Sequence, residues 1–159
     1  MGEPKRIIEA RAAAAYPQDF VEWLDAQVEL LAERRFDELD VENLMDEVSA
    51  LSKREFRSLQ SAIRVIILHM LKWDYQPEMR SMGWRKSIST QRGHVEAILA
   101  DSPSLRRRTD EAINGVYSQA RKDAAFETTV FLANFPEACP YTFDEIMSRR
   151  HEFQRDSER

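Results

Sequence analysis

Turn-forming residues are scarce in this chain of 159 residues, which contains four glycines and six prolines. An all-β protein needs a turn signal about every 8–12 residues. The sequence also has no alternating strand pattern of useful length. These absences exclude an all-β fold and favour helices throughout.

Cysteine and long apolar runs are scarce as well. Cys139 is the single cysteine, so no internal disulfide can form and an oxidising compartment is not indicated. The longest uncharged apolar run covers residues 65–71, far short of the roughly 20 residues that a membrane-spanning helix requires. The N-terminus lacks the apolar core of a secretory signal. We therefore expect a cytoplasmic protein with no membrane partner.

The chain length predicts one domain. A chain of 159 residues can bury about 70% of its extended-chain surface, so it needs no disulfide, metal or cofactor to fold. We predict a flexible N-terminal tail at residues 1–15, a single helical domain at 16–153, and a disordered C-terminal tail at 154–159.

Apolar residues recur with the helical period along that domain. The predicted helices cover residues 18–34, 40–51, 53–73, a stretch that begins between Ser81 and Trp84, 103–131, and a short segment after Thr142. The faces predicted to turn inward are, in chain order, Phe20, Val21, Leu24, Val28, Leu31; Val41, Leu44, Val48, Leu51; Leu59, Ala62, Ile66, His69, Trp73; Trp84, Ile88, Gln91, Val95, Ile98; and Leu105, Ala112, Val116, Ala120, Ala124, Phe131. Ser52-Lys-Arg-Glu55 fits a capping box and predicts a break near residues 49–53. Thr142-Phe-Asp-Glu145 fits a second capping box, which opens the short final helix. The result is an all-α protein, a single compact bundle of five or six mostly antiparallel helices.

Charge is distributed unevenly. Residues 16–60 hold twelve acidic and five basic side chains, a net charge of −7, whereas residues 77–108 hold seven basic and three acidic ones, a net charge of +4. One interpretation is an acidic helix packed beside a basic one. The other is a nucleic-acid-binding face in the Arg80 to Arg108 region, against which the overall pI near 5.3 counts.

A polar and aromatic cluster is predicted where the helix of residues 53–73 ends. Pro77 stops that helix, and a connection of seven residues then brings Trp84 back towards Trp73. The predicted members are His69, Lys72, Trp73, Tyr75, Gln76, Arg80, Trp84 and Arg85. Such a cluster either closes the bundle or lines a site, and its mix of aromatic rings and cations would also suit single-stranded nucleic acid.

Two further sets of residues could carry chemistry. Glu47 and Glu55 are candidate buried polar partners of His69, and with His94 they could form a metal site inside a bundle. The Glu-x-x-His pair typical of such sites is absent, so a histidine hydrogen-bonded to a buried glutamate is favoured and no metal site is assigned. Cys139 lies near a helix start that could lower its pKa, but no general base can be placed beside it. No catalytic residue is predicted.

The order of the motifs resembles the bacterial family called domain of unknown function 29. The resemblance rests on Tyr16-Pro-Gln-Asp-Phe20 with Trp23, Phe36-Asp-Glu-Leu-Asp40, His69 to Pro77, Trp84-Arg85, Ser102-Pro-Ser-Leu105, and Phe135-Pro136 with Cys139-Pro-Tyr-Thr142. It covers about residues 16–146 and implies an all-helical bacterial domain without a known reaction. The chain departs from it at Arg34 and near Ser52, where the family is expected to carry glycine. Arginine at position 34 disfavours the tight left-handed helix cap that glycine would allow.

These observations favour a non-enzymatic interaction or regulatory module with a protein partner. The alternatives are a nucleic-acid-binding protein that uses the Arg80 to Arg108 region, and a metal-binding bundle that uses Glu47, Glu55 and His69. A homo-oligomer is also open.

Overall fold

The computed structural model of the chain describes residue 16 and residues 18–153. Of these residues 79% are helical, and none of them lies in a strand. Within the described part the α-helices are α1 (Phe20–Ala32), α2 (Val41–Tyr75), α3 (Met82–Asp101), α4 (Thr109–Glu127) and α5 (Phe143–Ser148). Short 3-10 helices lie at Phe36–Glu38, Pro77–Met79, Pro103–Arg108 and Leu132–Asn134. The all-α prediction is confirmed, while the predicted tails at 1–15 and 154–159 lie outside the described residues.

Side-chain caps fix where the helices begin. Asp19 accepts a hydrogen bond from the backbone N–H of Glu22 at 3.0 Å, and Ser81 accepts one from Trp84 at 3.3 Å. Thr142 and Glu145 form the predicted capping box at the start of α5. Each cap satisfies a backbone donor that the first helical turn leaves unpaired.

Helix α2 is continuous over 35 residues, so the predicted break near residues 49–53 is wrong. A capping serine must adopt an extended backbone, whereas Ser52 lies within the helix and is exposed, as is Glu55. The surrounding residues, Ala50 to Phe56, include neither glycine nor proline. Continuing the helix through them therefore costs little.

Helix α1 ends in a left-handed cap formed by Arg34, whose φ is 59°. The N–H of Arg34 donates to the carbonyl of Leu31 at 3.1 Å, and that of Arg35 donates to Leu30 at 2.9 Å. This is the pattern of the Schellman motif. The left-handed cap, which arginine at this position is expected to disfavour, therefore forms, because two hydrogen bonds offset the strain of the left-handed backbone.

The chain divides into two compact units between Ser52 and Lys53. The single domain predicted for residues 16–153 stays a prediction, and each unit is described by itself. In the N-terminal unit the buried apolar residues are Trp23 and Leu30, which are accompanied by the buried polar Gln27. The indole N–H of Trp23 donates to a carboxylate oxygen of Asp40 at 3.1 Å, and the Gln27 side-chain oxygen accepts from the Asp40 N–H at 2.8 Å. These bonds tie α1 to the start of α2.

The first two faces predicted to turn inward are exposed instead. Val28 is 58% exposed and Val48 is 64% exposed. Helix α1 buries a different set of side chains, Trp23, Gln27 and Leu30, which also follow the helical spacing. The apolar pattern identified the helices correctly but not their buried faces. Two short helical segments can cover only one face of each other, so the other apolar face stays exposed.

The C-terminal unit has one continuous core of 22 buried residues from α2, α3, α4, α5 and their connections. In the ion pairs between α2 and α4, the residue numbers increase together along both helices. Arg64 pairs with Asp123, and Lys72 pairs with Glu127 at 2.8 Å. Helices α2 and α4 are therefore parallel, as expected when α3 reverses the chain between them. The predicted inward faces of this unit are largely confirmed, except that α4 ends at Glu127 and Phe131 is 79% exposed.

Candidate functional site

The structure brings the two tryptophans of the predicted cluster to the same end of α2. The ammonium of Lys72 lies 4.7 Å from the ring centroid of Trp84. The guanidinium of Arg80 lies 5.2 Å from the ring centroid of Trp73, and its Nε donates to the Trp73 carbonyl oxygen at 2.8 Å. Both are cation–π contacts. The turn at Pro77 thus returns α3 to the end of α2.

The other members of the cluster point in different directions. Arg85 lies over the ring of Phe153 at 5.6 Å, and Phe153 in turn contacts Trp73 at 5.3 Å. Tyr75 packs instead against Phe135, with ring centroids 5.1 Å apart. Gln76 is likewise turned away and donates to the Thr129 hydroxyl at 3.3 Å. The cluster is one aromatic and cationic corner, with Tyr75 and Gln76 turned towards other parts of the core.

His69 is half-buried, and its Nδ1 has no hydrogen-bond partner. Burial lowers its pKa, the charge of Lys72 lowers it further, and Glu127 acts in the opposite direction. A neutral imidazole is therefore favoured at this position.

The expectation that Glu47 and Glu55 are buried partners of His69 is wrong. Glu55 is exposed, and half-buried Glu47 accepts a hydrogen bond from the Tyr16 hydroxyl at 2.8 Å. Within the C-terminal unit, the rise of α2 places Glu55 about 21 Å from His69 along the helix axis. His94 is exposed. No group of three His, Cys, Asp or Glu side chains that could hold a metal ion occurs among residues 16 and 18–153.

Several arginines of the Arg80 to Arg108 region are used within the chain. Arg92 donates to the carbonyl oxygens of Ile146 at 2.7 Å and Arg149 at 2.9 Å. Arg108 forms two hydrogen bonds with Glu111, both 2.7 Å, and stacks on Phe56 at 3.7 Å. These contacts occupy guanidinium groups that a nucleic-acid interface would need for binding phosphates. Nucleic-acid binding by this region stays a prediction.

Cys139 has the environment of a structural thiol. Its Sγ donates to the carbonyl oxygen of Tyr141 at 3.5 Å, and burial raises its pKa. The pKa of this thiol is therefore raised by burial, although the hydrogen bond to Tyr141 acts in the opposite direction. A neutral thiol is a weak nucleophile.

Exposed apolar stripes on the N-terminal unit are the feature that the sequence interpretation missed. The α1 stripe comprises Val21, Leu24, Val28 and Leu31, and the α2 stripe comprises Val41, Met45, Val48 and Leu51. Their exposed fractions range from 38% at Leu24 to 66% at Met45. Spacings of three and four residues are those of a helix seam that packs against another helix. The described residues of this unit also carry eleven acidic and two basic side chains, a net charge of −9.

Comparison with known families supports the resemblance seen in the sequence. The model of the family described as "Domain of unknown function DUF29" matches residues 15–151. The chain belongs to the DUF29 family. No curated protein and no solved structure matches it. The function of this DUF29 domain is therefore argued from its own surfaces.

Helix α2, the longest helix of the DUF29 domain in its described part, carries charged side chains along its whole length. None of the described helices combines the length and apolar character needed to cross a membrane.

Proposed function

We propose that this DUF29 domain is a non-enzymatic interaction module whose N-terminal unit binds an α-helix of a partner protein. The observation that carries the proposal is the exposure of the α1 and α2 stripes at helix-pairing spacing. Monomeric proteins rarely expose a contiguous apolar patch larger than a few hundred Å². Apolar side chains repeated over several helical turns are typical of a surface that a partner covers.

The exposed area is of the size that an interface needs. The eight stripe residues are each between 38% and 66% exposed, so together they expose roughly 500 Å² of apolar surface, taking about 100 Å² for a side chain. A standard interface covers about 800 Å² of each partner, of which about 60% is apolar. The stripes therefore supply about the apolar area of one interface.

Charge indicates which kind of helix would bind. The net charge of −9 on the described residues of the N-terminal unit opposes pairing with a second copy of the same acidic surface. It favours a helix that presents apolar residues on one face and lysine or arginine beside them. The proposed partner segment is thus a basic amphipathic helix.

We also propose that the module works in a bacterial cytoplasm. The single cysteine, Cys139, supports a reducing compartment. The bacterial source follows from the character of the family that the sequence resembles.

The proposal can be tested with two fluorescent helical peptides and the full chain. One peptide carries leucine at heptad positions a and d with lysine elsewhere, and the other replaces lysine with glutamate. We expect saturable binding of the basic peptide alone. Val28→Gln and Val48→Gln should each weaken binding about tenfold, because burial of one such side chain contributes about 1.5 kcal/mol.

Phe126→Gln is the matched control, since Phe126 is 91% exposed in the C-terminal unit. It should leave peptide binding unchanged. Equal binding of both peptides would contradict the charge argument, and an equal loss in Phe126→Gln would remove the N-terminal unit as the site. A dimer in sedimentation velocity that both valine substitutions dissociate would assign the stripes to a second copy.

A further inference from the structure

A second candidate binding surface lies in the C-terminal unit, where a cavity of about 380 Å³ separates α3 from residues 149–152. We call it the arginine pocket. Arg85 and Arg92 line it from α3, and Arg149 and Arg150 line it from the segment after α5. Glu152 is the acidic side chain among its lining residues. Four guanidinium groups around one cavity form a strongly positive lining.

Two of these arginines are held rigidly by the fold. Arg149 forms two hydrogen bonds with Asp74, at 2.8 and 2.6 Å, which offset its charge. Arg92 is bonded to backbone carbonyl oxygens, and the carboxylate of Glu96 offsets its charge in part. Exposed Arg150 and Arg85 form no ion pair with the described residues. The pocket thus combines a fixed wall with guanidinium groups that are available to a ligand.

His151 adds an unpaired polar atom to the same wall. The residue is 7% exposed, and its Nε2 is buried without a hydrogen-bond partner. Burial lowers its pKa to about 4, with Arg92 and Arg149 lowering it and Asp74 acting in the opposite direction. A buried, unpaired polar atom costs free energy. The negative charge of an anion in the pocket would favour the protonated ring.

We propose that the arginine pocket binds the phosphate group of a small phosphate monoester. Guanidinium groups match phosphate oxygens with paired hydrogen bonds, and a dianion balances the surplus positive charge better than a carboxylate does. The Ser89 hydroxyl, which also lines the pocket, is a neutral donor for the same group. A volume of about 380 Å³ lies at the small end of ordinary ligand sites. This site is independent of the helix-binding surface proposed for the N-terminal unit.

Calorimetric titration of the full chain with inorganic phosphate and with phenyl phosphate, at constant ionic strength, tests the site. We expect saturable binding of both, with the monoester tighter. Arg85→Gln and Arg150→Gln should each weaken binding about tenfold, the effect of losing one charge-assisted contact. Arg107→Gln is the matched control, because exposed Arg107 lies outside the pocket, and it should bind normally.

An NMR titration of the histidines gives a readout that a general basic surface would not produce. Phosphate should raise the pKa of His151, and it should do so less in Arg150→Gln, in which binding is weakened. Loss of binding in Arg107→Gln equal to that in Arg150→Gln would overturn the proposal. So would acetate binding as tightly as phosphate. Inorganic phosphate binding more tightly than the monoester would contradict the assignment to an ester.

Discussion

The two compact units of the chain use apolar side chains in opposite ways. Among the described residues, the N-terminal unit buries two apolar side chains and exposes ten large ones, whereas the C-terminal unit buries 23 and exposes seven. Both units are helical, and both contain stripes at helical spacing. The comparison shows that a stripe at helical spacing does not reveal whether its own chain covers that face.

The two units also differ in net charge. The described residues up to Ser52 have a net charge of −9, while residues 53–153 contain sixteen basic and thirteen acidic side chains, a net charge of +3. Acidic residues placed beside exposed apolar ones keep a surface hydrated until a complementary partner arrives. We infer that the N-terminal unit is specialised for association with a helix, and the C-terminal unit for a stable core with one anion site.

Acid should destabilise the C-terminal unit, because burial lowers the pKa values of His69 and His151, which both belong to it. The folded-state pKa of His151 is lowered to about 4 from an ordinary value of 6.5. Between these values the unfolded chain binds the proton more tightly, so stability present above about pH 6.5 is lost as the pH falls. The loss should reach at most about 3 kcal/mol. Urea unfolding followed by circular dichroism from pH 7 to 4.5 measures it.

His151→Asn should flatten this dependence of the free energy of unfolding on pH, although His69, whose pKa is also lowered, keeps part of it. An unaltered slope in His151→Asn would show that the buried imidazole is not the group responsible.

One pair of valines compares the two units directly. Val95 is 0% exposed in the C-terminal core, and Val48 is 64% exposed in the α2 stripe. Val95→Ala should lower the free energy of unfolding by about 2 kcal/mol through lost burial and a residual cavity. Val48→Ala should change it by less than about 0.5 kcal/mol, since alanine also has the higher helix propensity. Equal losses in chemical denaturation would mean that the stripe is covered within the chain.

Substitution at the cap of α1 should give a small gain of stability in the N-terminal unit. Arg34→Gly removes the strain of a side chain at φ 59° and should stabilise the unit by about 1 kcal/mol. Arg35→Gly is the contrasting substitution, because it removes the ion pairs of Arg35 with Glu38 at 2.5 Å and Glu33 at 2.7 Å. Thermal unfolding should therefore shift in opposite directions for these neighbours. A loss in both variants would contradict the strain argument.

Local features of the fold could be predicted from the sequence, because the groups that decide them are neighbours in the chain. The capping box of Thr142 and Glu145 and the turn after Tyr75 are examples. The same local reasoning failed at Ser52, since Ser-x-x-Glu is equally compatible with the middle of a helix.

Long-range features of the candidate sites could not be predicted in this way. Which face of α1 turns inward depends on the surfaces that meet in three dimensions. Trp23, Gln27 and Leu30 also follow the helical spacing, so the sequence pattern alone could not choose between their face and the α1 stripe. The arginine pocket unites Arg85 with residues 149–151, which are more than sixty positions away. Sequence reasoning named Arg85 as a cation among the aromatic residues of the predicted cluster, but no local pattern indicates its distant neighbours.

The continuity of α2 has a consequence for how quickly its backbone opens. A single helix, Val41–Tyr75, passes from residues with exposed apolar side chains to residues buried in a core. Its amide protons before Ser52 can exchange with solvent when the helix frays, whereas those between Leu59 and Trp73 exchange only when the core itself opens. The backbone hydrogen bonds of one continuous helix thus open at two different rates. A partner helix bound to the α2 stripe would slow the exchange of the amide protons before Ser52.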